Sequence, residues 1–368
     1  MLANRLSCLE QAMRDHGLDA VALNPGPSLF YLTGLSFHLM ERPVICLFAP
    51  GERPRLVLPQ LERAKAEAAG LDIALHAYGE DDASRAEALR GAAAEMGLAG
   101  RKVGVEPLRM RLFELRLLEA AAPRASFVPG EAALSDIRIL KDEAEVAAMR
   151  QAVAVAEKAL EAALPLARPG MTERELASEL TLQMLRAGSD SELPFAAIVA
   201  SGPNSALPHA LPGERRLQPG DLVVVDWGAA VQGYISDLTR TFAVESLEPE
   251  LNRVHEIVQA ANAVGRWAVQ PGATCGAVDQ AARAVISAAG YGEFFIHRTG
   301  HGIGLEAHEP PYIRADDPLS LAPGMTFTVE PGIYLPGRGG VRVEDDVVVT
   351  PEGGQSLSSC PREVRIIA

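Results

Sequence analysis

Two segments of this 368-residue chain place acidic residues inside runs of β-branched and apolar residues. Asp226 follows three valines in DLVVVDW, and Asp237 lies in the next strand-like run, YISDLTRTFAV. Glu330 follows TFTV, and Glu344 follows VRV, on the two sides of the turn PGRGG. Short β-branched runs separated by glycine-containing turns predict two β-hairpins. Whatever fold the chain adopts must therefore accommodate four carboxylates on strands that pack into a core.

The spacing of these acids predicts that each pair faces across its turn. The two aspartates are centred close to Gly233, and the two glutamates are centred on Gly337. Opposed residues of paired strands lie roughly 5 Å apart at Cβ. Like charges at that distance destabilise a fold unless cations neutralise them. Arg342, two residues before Glu344, is expected on the same strand face because side chains alternate along a strand.

A histidine among glycines adds a nitrogen donor to this set. His301 lies in HRTGHGIG, where Gly300, Gly302 and Gly304 permit close approach of another backbone. Two divalent cations would balance four carboxylates, and oxygen-rich donors with one imidazole suit manganese, cobalt, iron or zinc pairs. The sequence therefore predicts a metal site whose ligands are Asp226, Asp237, His301, Glu330 and Glu344.

Composition narrows the classes of partner and location. The net charge of −14 argues against nucleic acid or an anionic membrane surface as the main partner. No run approaches 18 apolar residues, so no membrane-spanning helix is expected. The four cysteines are far apart, which favours free thiols, and the N-terminus lacks the pattern of a signal peptide. These features predict a cytoplasmic protein.

The pattern of helical and strand-like segments changes along the chain, which predicts two domains with a boundary near Pro129. Residues 1–129 alternate helical and strand-like segments, which indicates an α/β layer with some parallel pairing. Residues 130–368 begin with a long helical stretch and contain the acidic hairpins. The candidate chemistry is thus expected in the second domain.

A short internal repeat in the second domain predicts pseudo-symmetry. PGMT and PGAT, 102 residues apart, each precede a helical pattern, and Thr172 and Thr274 are suited to cap those helices. Thr172 and Glu175 also have the spacing of a capping box. Two similar halves would place a site between them, whereas coincidence is the alternative because such helix starts are common.

The motifs VVVDWGA, SDLTRTF, HRTGHGIGLEAHEPP, VEPGIY and GVRVEDDVVV together resemble the metal-dependent pita-bread peptidases of family M24. They look closest to the Xaa-Pro branch, which comprises aminopeptidase P and prolidase, and NPGPSLFYLTG resembles the N-terminal domain of that branch. The resemblance covers nearly the whole chain. It implies a creatinase-like α/β domain, an α+β pita-bread catalytic domain with pseudo-twofold halves, and a homodimer.

The resemblance also implies how the metals are held and what the enzyme cleaves. Asp226 and Asp237 would hold the first ion, Asp237 and Glu344 would bridge, and His301 and Glu330 would hold the second. Manganese is the foremost candidate, with cobalt, zinc and iron as alternatives. The substrates would be proline-containing peptides, cut at the Xaa-Pro bond at the N-terminus of a peptide or in a dipeptide.

Further roles follow from the same resemblance. The catalytic residues would be His209, His308 and Glu330, with Glu330 as proton acceptor. The substrate-binding residues would be His297, Arg342 and Tyr312.

One position departs from the pattern of the family and leaves two activities open. Some prolidases have an arginine four residues after the histidine that corresponds to His308, whereas this chain has Tyr312, with Arg314 nearby. This departure weakens the strict dipeptidase interpretation and leaves aminopeptidase P activity open.

The same scaffold also admits a creatinase-like, metal-independent C–N hydrolase or a non-catalytic pseudo-peptidase. The creatinase-like branch typically alters the metal positions, so retention of all five argues against it. A pseudo-peptidase typically loses ligands or histidines, and this chain has kept both sets. A metal-dependent peptidase is therefore the favoured interpretation.

Overall fold

The computed structural model describes residues 2–368, which form two compact units, residues 2–138 and Ile139–Ala368. The helix Glu131–Arg138 falls in the first unit. The domain boundary at residue 129 stays a prediction.

The first unit is built on one six-stranded sheet flanked by helices. Its strand order is β4-β3-β2-β1-β5-β6, in which β3–β4, β1–β5 and β5–β6 pair in parallel. The α/β layer with some parallel pairing is therefore confirmed. The strands are β1 Ala20–Leu23, β2 Ile45–Phe48, β3 Arg55–Pro59, β4 Ala74–Tyr78, β5 Lys102–Val105 and β6 Ser126–Pro129. The helices are α1 Leu2–Asp15, α2 Pro27–Thr33, α3 Arg63–Ala68, α4 Asp82–Glu95, α5 Leu112–Ala121 and α6 Glu131–Arg138.

The second unit combines two helix pairs with two sheets and two short ribbons. The helices are α7 Glu143–Ala163, α8 Glu173–Ala187, α9 Pro249–Trp267 and α10 Cys275–Ala288. One sheet has the order β19-β11-β8-β7, and the other has the order β13-β12-β14-β17-β18. Hairpin ribbons β9–β10 and β15–β16 extend from them. No helix between residues 2 and 368 has both the length and the apolar character needed to cross a membrane.

The strands of the second unit have the following bounds, in chain order. They are β7 Ile198–Ser201, β8 Leu222–Trp227, β9 Ala230–Val231, β10 Tyr234–Ile235, β11 Leu238–Val244, β12 Gly300–Gly302, β13 Glu309–Ile313, β14 Thr326–Val329, β15 Gly332–Leu335, β16 Gly339–Arg342, β17 Asp345–Thr350, β18 Gly353–Ser356 and β19 Arg365–Ile367.

The internal repeat corresponds to a repeated structure. In each half a helix pair precedes a sheet strand, a ribbon and a returning sheet strand. Thr172 caps α8 and forms the expected capping box with Glu175, and Thr274 caps α10. Each threonine also forms an isolated β-bridge, to Arg216 and to Ser320 respectively. The pseudo-symmetric organisation is therefore confirmed, and its two halves contribute one acidic hairpin each.

The glutamate hairpin has the predicted register. Val329 pairs with Asp345 in the sheet and Gly332 pairs with Arg342 in the ribbon, so Glu330 and Glu344 lie opposite each other where the two ladders meet. Gly337 has a φ of 73° in the turn, a conformation that favours glycine.

The aspartate hairpin differs from its predicted register by two residues. Asp226 pairs with Thr239 rather than with Asp237. The turn is centred between Gln232 and Gly233, one residue later than the spacing of the aspartates predicts. The direct pairing of Asp226 with Asp237 was therefore wrong. A shift of two residues preserves the side-chain face, since successive side chains alternate. Asp237 consequently still lies on the same side of the hairpin as Asp226.

A fully buried acid on β17 ties the sheet to the C-terminal segment. Asp345 follows Glu344 and therefore points to the opposite face. Its carboxylate accepts hydrogen bonds from Arg240 Nη2 at 2.8 Å, Arg362 Nε at 2.7 Å and Ser358 Oγ at 2.6 Å. Burial would raise the pKa of Asp345, but the two guanidinium groups outweigh burial and lower it below its usual range. The charge is thus compensated locally and is available to hold these elements together.

We expect Asp345→Asn to destabilise the protein by about 3–5 kcal/mol, because it leaves the buried guanidinium of Arg240 and the part-buried guanidinium of Arg362 without their anion. Asp316→Asn is the matched control, since Asp316 pairs with Arg314 at the surface, where its side chain is 79% exposed. Denaturant unfolding of both variants in metal-saturated buffer measures the difference. Equal stability of the two variants would contradict this account.

Candidate metal centre

The five predicted ligands converge in the second unit. Asp226, Asp237 and Glu344 form one group whose donor atoms lie within 4.8 Å of one another, and His301, Glu330 and Glu344 form another. His301 Nε2 lies 3.3 Å from Glu330 Oε1 and 3.8 Å from Asp237 Oδ2. Two overlapping groups that share Glu344 can hold two cations a short distance apart.

These acids are buried with too little positive charge nearby to neutralise them. Burial raises the pKa of Asp237 and of Glu344 well above the usual range, and neighbouring carboxylates raise both further. Burial likewise raises the pKa of Asp226, although Arg342 opposes it, and it raises that of Glu330 to about 7. Clustered carboxyl groups that resist ionisation are an environment that cations relieve.

An unsatisfied oxygen supports the same interpretation. Within residues 2–368, Asp226 Oδ1 is buried and has no hydrogen-bond partner. An orphaned buried acceptor costs about 1–3 kcal/mol. The four carboxylates and the His301 imidazole are ligands that manganese, cobalt, iron and zinc accept. These residues therefore fit a pair of divalent ions.

Two threonines orient the glutamates. Thr239 Oγ1 donates to Glu344 Oε2 at 2.5 Å, and Thr328 Oγ1 donates to Glu330 Oε1 at 3.1 Å. Thr328 Oγ1 also accepts from the backbone N–H of His301 at 3.1 Å. Sequence reasoning missed both threonines. The available signal is alternation, because Thr239 follows Asp237 by two residues and Thr328 precedes Glu330 by two.

A further buried acid supports the backbone of Asp237. Asp346 Oδ2 accepts from the Asp237 N–H at 3.0 Å. Asp346 lies two residues after Glu344 on the same strand, so both side chains project from one face. In the string EDD, Glu344 and Asp346 therefore face the site, and Asp345 points to the opposite face. Sequence reasoning did not make this distinction.

The glycines beside His301 are required by close backbone packing. A Cβ on Gly300 would lie 1.8 Å from the carbonyl oxygen of Thr328, and one on Gly302 would lie 2.2 Å from that of Pro310. A Cβ on Gly304 would lie 2.7 Å from Glu309 Oε1. The expected close approach of another backbone is confirmed at Gly300 and Gly302, whereas Gly304 lies against the side chains of Glu309 and Lys141. Strand β12 is pressed between β13 and β14, and this packing fixes His301 against the acids.

Arg342 starts a buried hydrogen-bond chain along one wall of the site. Its Nη2 donates to Asp226 Oδ2 at 2.5 Å, and its Nη1 donates to the hydroxyl of Tyr334 at 3.0 Å. Burial lowers the pKa of His297 to about 4, so its ring is neutral near pH 7. His297 Nδ1 lies 2.7 Å from the Arg298 carbonyl and must donate to it, so Nε2 accepts from Tyr334, 2.9 Å away. Tyr334 was missed by sequence reasoning.

The remaining predicted residues lie on the open side of the site. The rings of His308 and His301 are 3.8 Å apart between centroids. Burial lowers the pKa of His308, and the charges of Arg298 and His209 lower it further. Arg298 Nη2 lies 3.5 Å from His308 Nδ1. Tyr312 pairs with His301 across β12 and β13, and the guanidinium of Arg298 lies 4.5 Å from the centre of its ring. Sequence reasoning did not single out Arg298.

Comparison with known proteins matches both units. Residues 147–351 match the model of metallopeptidase family M24, and residues 5–140 match the creatinase/prolidase N-terminal domain. The chain belongs to metallopeptidase family M24. The family resemblance and the fold class read from the sequence are thereby confirmed, and this M24 protein is a metal-dependent peptidase. The roles of its individual residues stay predictions.

Relatives and solved structures cover nearly the entire M24 chain. The probable dipeptidase PepE of Mycobacterium tuberculosis is 37% identical over 99% of this chain and 96% of its own length. The Xaa-Pro dipeptidase from Bacillus anthracis is similar in structure with a TM-score of 0.92, at 32% identity and complete coverage of both chains. The X-Pro aminopeptidase from Thermotoga maritima has a TM-score of 0.87 at 30% identity, covering 98% of this chain and 99% of its own.

Removing metal should make the stability of this M24 chain depend on pH. The site carboxyls retain protons in the folded metal-free protein above about pH 4, where an unfolded chain has lost them. A raised folded-state pKa means that stability falls as the pH rises. The buried histidines, whose folded-state pKa is lowered, act in the opposite sense, because protons that only the unfolded chain binds below about pH 7.5 make stability rise with pH. A decline in stability as the pH rises therefore belongs to the carboxyl groups.

We expect the Tm of chelator-stripped protein to fall more steeply from about pH 6.5 to about pH 8 than that of manganese-loaded protein. Scanning calorimetry of both forms in the same buffers measures the slopes. Asp237→Asn, which removes one of the repelling acids, should flatten the slope of the stripped form. Parallel curves for stripped and loaded protein would contradict the proposed charge cluster.

Proposed function

We propose that this M24 metallopeptidase hydrolyses the Xaa-Pro bond, with dipeptides as the preferred substrates. The observation that carries the proposal is the pair of overlapping ligand groups that share Glu344 among buried, uncompensated acids. The Bacillus anthracis and Thermotoga maritima proteins, which are named for Xaa-Pro activity, support the choice of bond.

The metal ligands are assigned as the resemblance implies. Asp226 and Asp237 would hold the first ion, His301 and Glu330 would hold the second, and Asp237 and Glu344 would be shared between the two. Two bound divalent ions would polarise the scissile carbonyl and lower the pKa of the attacking water. Manganese is proposed as the ion in use.

Glu330 is proposed as the proton carrier. Its side chain is 14% exposed, against 8% for Asp237, and it therefore faces the cleft more openly than that acid does. Burial raises the pKa of Glu330 to about 7, and a carboxyl group that titrates near neutral pH suits a group that first accepts and then returns a proton. Its carboxylate would take the proton of the attacking water and deliver it to the proline nitrogen as the peptide bond breaks.

The histidines on the open side are proposed to act on the substrate. His308 and His209 are exposed imidazoles whose N–H groups can donate to the oxyanion that develops from the scissile carbonyl. His297 and Arg342 meet at Tyr334 and line the wall of the proline side. Arg342 would also hold the carboxylate of Asp226 in place through its hydrogen bond to Oδ2.

Arg298 supports the preference for dipeptides. A dipeptide ends in a carboxylate next to the proline, and a guanidinium binds a carboxylate through two parallel hydrogen bonds. Arg298 lies over Tyr312, with Nη2 3.5 Å from His308 Nδ1. A cation is therefore present beside residue 312, the position at which some prolidases have their arginine. Aminopeptidase P activity is the second candidate, because Tyr312 itself offers no charge.

Three further features are proposed on the sequence and the family resemblance alone. They are a homodimer, a cytoplasmic location and a domain boundary at residue 129. Light scattering of the purified protein tests the homodimer. Metal analysis of the same sample would test the choice of manganese.

Hydrolysis of Ala-Pro and Ala-Pro-Ala by stripped protein reloaded with manganese tests the proposed reaction. We expect cleavage of Ala-Pro, and loss of about 10²–10⁴-fold in kcat for Glu330→Gln with both substrates. Preferred cleavage of Ala-Pro-Ala would instead identify an aminopeptidase P. If metal-loaded protein cleaves neither peptide, the assignment to Xaa-Pro bonds is wrong.

Arg298→Ala tests the proposed carboxylate contact. Loss of a charge-assisted hydrogen bond costs about 1.5–3 kcal/mol, so KM for Ala-Pro should rise roughly 10–100-fold. Ala-Pro-amide lacks the carboxylate, and its hydrolysis should be nearly unaffected. Arg314→Ala is the matched control, because Arg314 pairs with Asp316 and its side chain is 57% exposed. An equal effect of Arg298→Ala on the acid and the amide would exclude this role.

A further inference from the structure

His209 is carried by a loop rather than by a strand. We define the His209 loop as residues 202–216, which begins with the 3-10 helix Gly202–Ala206 and ends at the β-bridge of Arg216. The metal ligands, in contrast, lie in or directly beside β-strands. A loop without a ladder needs other contacts to fix a side chain to within the tolerance that catalysis demands.

A buried carboxylate outside the loop supplies such contacts at both of its ends. Glu173, the first residue of α8, is 0% exposed. Its Oε1 accepts from the N–H of Ser201 at 2.7 Å, from Ser201 Oγ at 2.8 Å and from Asn204 Nδ2 at 3.1 Å. Its Oε2 accepts from Asn204 Nδ2 at 3.2 Å and from the N–H of Gly213 at 3.1 Å.

The start of α8 also binds the second end of the loop through its backbone. The N–H of Glu173 donates to the carbonyl of Arg215 at 3.0 Å, and that of Arg174 donates to Gly213 at 3.1 Å. These N–H groups belong to the first turn of a helix, where intrahelical partners are lacking. The C-terminal end of the loop therefore lies along the first turn of α8 and is hydrogen-bonded to it.

The middle of the His209 loop is hydrogen-bonded to the β15–β16 ribbon. Ser205 Oγ accepts from the N–H of Gly340 at 2.8 Å, and Arg342 Nη1 donates to the carbonyl of Pro208 at 3.2 Å. A Cβ on Gly340 would lie 2.1 Å from the Ser205 carbonyl oxygen, so the two backbones are in close contact. His209 directly follows Pro208, so the backbone that carries it is fixed at this contact.

The position of Glu173 requires a carboxylate. Every group that approaches it is a donor, and an ionised carboxylate is the side chain that only accepts. A glutamine would keep one acceptor oxygen and turn an amide N–H₂ towards donors. At least one buried backbone N–H, of Ser201 or Gly213, would then lose its partner.

We propose that Glu173 is a positioning residue for His209, and that its carboxylate fixes the imidazole by holding both ends of the His209 loop. The proposal rests on the proposed peptidase function. Glu173 contacts the loop and not the metal ligands, so the proposal assigns its effect on turnover to the placement of His209.

The first test compares Glu173→Gln with Glu175→Gln. Glu175 lies in the same helical turn, and its carboxylate bonds to the N–H of Thr172 within the capping box. Both variants change the charge at the helix start equally. Displacement of a catalytic group by about 1 Å can cost roughly 10²-fold in rate, so we expect such a loss of kcat for Glu173→Gln at nearly constant KM and unchanged metal content. Glu175→Gln should retain wild-type turnover, and equal losses would overturn the proposal.

Non-additivity distinguishes positioning from a general structural effect. If Glu173 acts through His209, adding Glu173→Gln to His209→Ala should cause almost no further loss of kcat. Full additivity of the two losses would overturn the proposal. Asn204→Ala, which removes a single donor to Glu173, is the milder variant should Glu173→Gln fail to fold, and it should show a smaller loss with the same non-additivity.

Hydrogen exchange tests the contact independently of catalysis. Amides of residues 202–216 should exchange faster in Glu173→Gln than in the wild type, while those of β8 and β11 should be unchanged. If the wild type cleaves no Xaa-Pro peptide, the proposed function fails, yet exchange still decides whether Glu173 holds the loop. Unchanged exchange in the loop would overturn the inference.

Discussion

Repulsion among four buried carboxylates is the constraint on which the second unit depends. Burial and mutual proximity raise the pKa of Asp237 and Glu344 far above the usual range. Such a cluster is unfavourable by itself, and the fold must hold it against that repulsion. It does so by placing the acids on or beside strands of two sheets and by bonding Asp237 and Glu344 to neighbouring groups.

Pseudo-symmetry brings the acids together from distant parts of the sequence. Each half contributes a sheet, a ribbon and a pair of acids at the point where the sheet ladder ends. Thr239 and Glu344 form an isolated β-bridge between the two hairpins, so backbone pairing itself joins the halves at the site. Symmetry explains the matched acids, whereas the histidine of the proposed ligand set, His301, comes from the second half alone.

The accuracy of sequence reasoning followed the regularity of the backbone. The glutamate pair was predictable because both ladders share one register around Gly337. The predicted pairing of the aspartates was shifted by two residues, because the sequence placed the centre of the two-residue turn one residue too early. Supporting residues such as Tyr334 could be read from alternation only once their partners were known. Glu173 and Arg298 could not, since their partners lie on irregular segments whose paths no periodicity specifies.

The second unit compensates its buried acids in three physically different ways. Asp345 lies between guanidinium groups, and Glu173 accepts only from N–H and O–H donors. Each of those carboxylates is satisfied by the protein itself. The cluster around Glu344 has one guanidinium, from Arg342, for four carboxylates, and within the described residues Asp226 Oδ1 has no partner at all. Asp346, which is also buried and has an unpartnered Oδ1, lies beside this cluster and accepts from the N–H of Asp237. The acids around Glu344 therefore depend on charges that the chain does not supply, which supports the proposal that this cluster binds cations.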